Sequence, residues 1–128
     1  MSDNDTKKVL YVQTHGEDDP ARAATPFYLA STAAAMDCEV GIYFTMKGPT
    51  LLRKGAPERI QIPRAAGGGA HLRHFINQAM DLGVKLYVCQ PSLDLHGMTH
   101  ADLIDGIEMI GGAAFNDMAL EADAVITF

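Results

Sequence analysis

Four short runs constrain this chain more than anything else in it: KVLYVQT (residues 8–14), EVGIYFT (39–45), VKLYVC (84–89) and DAVITF (123–128). They are rich in β-branched and aromatic residues and nearly all apolar. An alternating run makes a strand with one wet face, whereas a continuous one makes a strand buried on both. Between them lie stretches with helical spacing: ARAATPFYLASTAAAM after Pro20, HLRHFINQAMDLG ending at Gly83, and AAFNDMALEA after Gly112. Strands alternating with helices imply a parallel sheet covered on both faces. Right-handed crossovers then give an open doubly wound α/β domain of flavodoxin-like kind.

At 128 residues the chain fits one such domain, expected to span residues 1–128 with 1–6 as a flexible tail. The helix after Pro20 begins there or at Pro26, with Thr25 as its cap. Residues 50–54 read as a short helix, and 59–63 as a brief strand or a loop. Gly67-Gly68-Gly69 reads as a flexible loop. Thr99 and Asp102 resemble a capping box opening a helix through Ile107. Met109-Ile110 is a candidate pairing segment, and the seven methionines look like core fillers.

Hydrophobic residues make up 48% and charged residues 20%, a balance that argues against disorder. No apolar stretch approaches the ~20 residues of a membrane span. MSDNDTKK has neither signal-peptide nor transit-peptide character, so a cytoplasmic location with reduced thiols is expected. A net charge of −6 disfavours nucleic acid, which needs a basic footprint. The charge is uneven. Six of the ten Lys and Arg residues lie between Lys47 and Arg73, and none follows Lys85. That pattern reads as solvated helix faces, or as a basic middle that attracts an anion or an acidic partner.

Catalytic and ligand groups of an open parallel sheet gather beyond the carboxyl ends of its strands. Cys89 stands at such an end, before a segment (QPSLDLHGM) that Pro91 and Gly97 are expected to keep irregular. Cys89 is either a small core residue or a thiol held out for chemistry. His96 and His100 are close enough in sequence to assist a thiolate. Cys38 precedes its strand and reads as a buried small residue. The two thiols should lie on opposite sheet edges, since a strand spans roughly 17–20 Å. A disulfide needs Cα atoms within about 7 Å, so none is expected between them.

Other constellations carry less. His71 and His74 have i, i+3 spacing but lack companion ligands, so no metal is expected. The triple glycine lacks both phosphate-binding patterns. Ser92, Asp94 and His96 share one segment, unlike a triad drawn from separate elements. Asp18-Asp19 lacks the companion residues of a phosphate-receiving site.

Taken in order, KVLYVQTHG, EVGIYFTMKGPTLLRKG, VKLYVCQPSLDLHGM and ALEADAVITF resemble the DsrE/DsrF/DsrH-like family over nearly the full length. The telling pieces are the FT-x-x-G-x-x-L-L stretch, the strand-end cysteine and the EAD-x-V-x-TF terminus. The resemblance implies a small α/β protein assembling as a homotrimer, or as a homohexamer of stacked trimers. It implies that Cys89 carries sulfane sulfur as a persulfide or thiosulfonate and relays it to partners such as TusA-like carriers. Some relatives have a second cysteine further along the same segment. This chain has Gly97-Met98 there, which argues against an internal persulfide-to-disulfide step.

The sequence-level hypothesis is therefore sulfur transfer by a Cys89 nucleophile. A small sulfane-sulfur donor supplies it, Lys47, Arg53 and Lys54 steer the donor or an acidic carrier, and no cofactor is required. Two alternatives stand beside it: a non-catalytic assembly subunit, and a flavodoxin-like nucleotide-binding protein.

Overall fold

The computed structural model of the chain describes residues 6–64 and 69–128. Most of the tail expected over residues 1–6, together with Gly67 and Gly68 of the triple glycine, lies outside the described residues. The order of elements is β1 (Lys8–Gln13), α1 (Pro20–Ala35), β2 (Glu39–Phe44), a 3-10 turn (Gly48–Leu52), α2 (Ala56–Arg59), β3 (Gln61–Pro63), β4 (Gly69–His71) and α3 (Leu72–Asp81). There follow β5 (Lys85–Cys89), α4 (Gln90–Leu95), a 3-10 turn (His100–Asp102), β6 (Ile107–Ile110), α5 (Gly112–Glu121) and β7 (Ala124–Thr127).

Five strands form one parallel sheet in the order β6-β5-β2-β1-β7, while β3 and β4 pair as a small antiparallel hairpin. From β1 the chain steps outward through β2 and β5 to β6, then returns past β1 to place β7 on the other edge. Right-handed crossovers in opposite directions must cross opposite faces. The packing follows: Phe27, Ala30, Ile76, Leu93 and Leu103 lie with Tyr11, Ile42 and Val88 on one side. Phe115 and Met118 of α5 and its C-cap Ala122 lie with Leu10, Val12 and Tyr43 on the other. This is the doubly wound class expected. Its reversal comes only at the last strand, between β1 and β7, instead of after the second strand as in the flavodoxin order.

Several local expectations change. α1 starts at Pro20, with Asp19 as cap accepting from the Arg22 amide (3.4 Å), so Thr25 is not the cap. Pro26 sits inside the helix and has no N–H to give the Arg22 carbonyl four residues back. The side-chain amide of fully buried Gln13 donates to that carbonyl instead, at 2.7 Å. Thr99 and Asp102 do form a capping box, but it opens a single 3-10 turn, and Ile107 begins strand β6. The segment after Cys89 is a short helix, because Pro91 occupies the first turn, where its missing N–H costs nothing. Among the methionines, Met98 is core, while Met36 and Met46 are largely exposed.

Candidate functional site

Cys89 is the last residue of β5 and the N-cap of α4. Register pairs Phe44 with Val88 and Ile110 with Cys89, so Thr45, next after Phe44, comes beside the cysteine. Side chains alternate along a strand, and Tyr43, two residues before Thr45, therefore shares the face on which Cys89 lies. Tyr43 is buried, its ring 4.3 Å from Phe115 of α5. Ser92 follows in the first turn of α4 and is also buried. Cys89 itself is half-buried and free, packed at the margin of the α5-side cluster.

Two opposing effects act on its sulfur. Partial burial pushes the thiol pKa up, since an apolar setting disfavours a charge. The hydroxyls of Ser92 and Tyr43, the Ser92 amide and the Thr45 hydroxyl favour the thiolate as hydrogen-bond donors. The donors win, and the thiol rests below its ordinary 9.0. Burial drives the Tyr43 phenol the other way, well above its usual value, and the adjacent Cys89 adds to the rise. Tyr43 thus keeps its proton and remains a donor whenever the thiolate is present.

A second layer ties β2 to α4. Ser92 Oγ lies 3.1 Å from Thr45 Oγ1 and accepts from the Met46 amide at 2.9 Å. The Met46 carbonyl lies 2.7 Å from His96 Nε2, which must donate there. Met46 adopts φ of 56°, the left-handed region, which costs a side-chain-bearing residue about 1–2 kcal/mol. Its peptide is held on both sides by residues of the Cys89 segment.

The other sequence-level candidates lie in different settings. His100 Nε2 lies 3.2 Å from the Ile107 carbonyl. Lys47 pairs with Asp18 at 3.3 Å, which helps hold that carboxyl below 3.8. Arg53 bridges to Leu103, and the Lys54 amide donates to the Asp102 carbonyl. Both cations also favour the Asp102 carboxylate, which the Thr99 amide chiefly stabilises. Arg59 and Arg73 pair with Glu17 and Glu58. The basic middle of the sequence is thus interleaved with acids from elsewhere in the chain.

Cys38 stands just before β2, at the opposite edge of the sheet, half-buried against the larger cluster. Ser92 was legible as a residue near the cysteine but not as its partner. Tyr43 and Thr45 carry no local signal, because only strand register brings them to Cys89. Among the described residues no group of three or more His, Cys, Asp or Glu side chains is placed to hold a metal ion. No helix among them is long and apolar enough to cross a membrane.

Fold and site together define a class: a small α/β protein in which an inner strand of the parallel sheet ends on a free cysteine. The chain belongs to the DsrE/DsrF-like family, whose family model matches residues 7–128. It is similar to the sulfur carrier protein DsrE2 of Allochromatium vinosum, with 31% identity across 91% of this chain and 95% of that protein. Uncharacterised YrkE of Bacillus subtilis is also 31% identical, over 86% of this chain and 89% of its own. The crystal structure of the E. coli YchN protein matches with a TM-score of 0.71, covering 96% of this chain and 99% of that one. At 19% identity that likeness speaks for the fold alone.

Proposed function

We propose that this protein is a sulfur carrier that takes sulfane sulfur onto Cys89 and relays it to a partner thiol. The observation that carries the reading is the free, half-buried thiol at the carboxyl end of β5, set beside Thr45 by strand register and followed by Ser92 in the first turn of α4. The named similarity to a sulfur carrier protein supports it.

The Cys89 thiolate attacks a sulfane sulfur of an anionic donor and forms a new S–S bond. With polysulfide, the shortened polysulfide leaves with the electron pair, and Cys89–S–SH remains. With tetrathionate, thiosulfate leaves and Cys89–S–S–SO3⁻ remains. A partner thiolate then attacks the sulfane sulfur bonded to Cys89 Sγ, that S–S bond breaks, and Cys89 departs as thiolate. Both steps favour a sulfur whose pKa lies near ambient pH, because it must serve as nucleophile and as leaving group. The donor ring assists both, since Ser92, Tyr43 and Thr45 stabilise the charge that is present before attack and restored at departure. Tyr43, holding its proton, acts as a fixed donor and not as a base.

The partners of this reading are a small sulfane-sulfur donor and a TusA-like or comparable carrier protein, met in the cytoplasm. Self-association as a homotrimer or homohexamer belongs to the same proposal. The exposed Leu120, Val125 and Ile126 on α5 and the edge strand β7 are consistent with a covered surface.

The test is intact mass after incubation with tetrathionate or polysulfide. Wild type and Cys38→Ser should each gain sulfur, while Cys89→Ser should not. Equal labelling of the two variants would overturn the assignment.

A further inference from the structure

We infer that His96 is a positioning residue for Cys89, acting at a distance through the Met46 peptide. This deepens the sulfur-carrier reading by assigning what holds its site in shape. His96 Nε2 donates to the Met46 carbonyl (2.7 Å), and the Met46 amide donates to Ser92 Oγ (2.9 Å). The chain of contacts leaves α4 at its C-cap, passes through one left-handed residue after β2, and re-enters α4 in its first turn.

The consequence follows from counting protons. A serine hydroxyl has one proton and two lone pairs. The Met46 amide can only donate, so it occupies a lone pair of Ser92 Oγ and leaves the proton to point elsewhere. Thr45 Oγ1, 3.1 Å away, is one acceptor, and the Cys89 thiolate, which the Ser92 hydroxyl favours from the first turn of α4, is the other. When the sulfur is ionised, the charge-assisted bond is the stronger, and the proton turns to it. Thr45 has a proton of its own for the sulfur and does not need the one from Ser92. The Met46 amide thereby sets the direction in which Ser92 donates.

The Met46 amide meets Ser92 and its carbonyl meets His96 together only while Met46 stays left-handed, a conformation a residue with a Cβ leaves when nothing holds it. His96 holds it through the carbonyl. The same peptide is tied on its other side by the Lys47 amide, which donates to the Thr14 carbonyl (3.2 Å), and the Gly48 amide closes the turn around Met46 on the Thr45 carbonyl (2.8 Å). Met46 and His96 are the joint between them. The imidazole donates from Nε2 in one neutral tautomer and in the cation alike, so the clasp does not depend on His96 changing charge.

The experiment follows iodoacetamide alkylation of Cys89 against pH in a Cys38→Ser background, which reads the thiolate without any sulfur donor. In His96→Ala the inflection should move to higher pH, with alkylation at neutral pH slowed roughly three- to tenfold, the worth of about one hydrogen bond. Adding Met46→Gly should restore the parent profile, because glycine holds the left-handed backbone without a Cβ penalty. Amide exchange at Met46 gives a second reading, and His96→Ala should expose that amide while core amides stay protected. An unmoved inflection, a shift that Met46→Gly leaves in place, or a Met46 amide still protected in His96→Ala would each overturn the clasp. Failure of sulfur loading would instead count against the carrier reading and leave these outcomes unaffected.

Discussion

The chemistry proposed for Cys89 depends in part on groups separated from it by about a third of the chain. Tyr43 and Thr45 reach the sulfur only because β2 and β5 are neighbours in parallel register. No local pattern announces such a set, so the sequence showed the cysteine and not its donors. Removing a donor has a definite sign. Stabilisation of the thiolate lowers the thiol pKa, so losing a donor raises it and reduces the thiolate fraction at neutral pH. In Ser92→Ala the alkylation inflection should rise toward 9.0, the ordinary value, because both the hydroxyl and its link to Met46 are lost. Tyr43→Phe keeps the ring against Phe115 and removes only the phenolic donor. It should shift the inflection the same way by less than about one pH unit, the worth of about one hydrogen bond, with the melting temperature little changed. Unshifted profiles in both variants would mean that burial, not hydrogen bonding, governs the thiol.

At the level of elements, legibility followed the strength of the periodic signal. The long strands were readable because continuous apolar runs have few other uses. The turn at Thr99 was read as a longer helix because a capping box marks a start and carries no information about length. The helix after Cys89 was hidden by Pro91 and Gly97, yet proline is tolerated in a first turn, and Gly97 lies beyond the helix at φ of 61°. α1 shows how a local conflict is resolved by a distant residue. Pro26 strands the Arg22 carbonyl, and Gln13, at the end of β1, satisfies it while its own oxygen accepts from the His15 amide. Gln13→Leu fills similar space but leaves both partners unpaired. It should cost about 1–3 kcal/mol in urea unfolding. A cost near zero would show that water replaces the amide. Gly48 presses on the Gln13 carbonyl, and a Cβ there would meet backbone that cannot move aside cheaply. Gly48→Ala should therefore destabilise by about 1–3 kcal/mol in the same measurement.

For the whole molecule, the two faces of the sheet are unequally covered. Three crossovers pack on one side and α5 alone on the other, with β7 exposed along its length and Leu120 84% exposed. Under the proposal, copies of the chain associate through that side. Leu120→Lys with Val125→Lys should reduce the mass seen in light scattering to that of a single chain, while far-UV circular dichroism is retained. An unchanged mass would place the contacts elsewhere.

A sulfur carrier must both accept sulfur on Cys89 and give it up. The most direct measurement is a single turnover: load the Cys38→Ser protein with radiolabelled sulfane sulfur, remove the donor, and add a carrier protein bearing one reactive thiol. The account predicts that label leaves this chain and appears on the carrier in equal amount, with no label on either protein when Cys89→Ser is used. Label that stays on Cys89 in the presence of the carrier would contradict it, as would transfer that proceeds without Cys89.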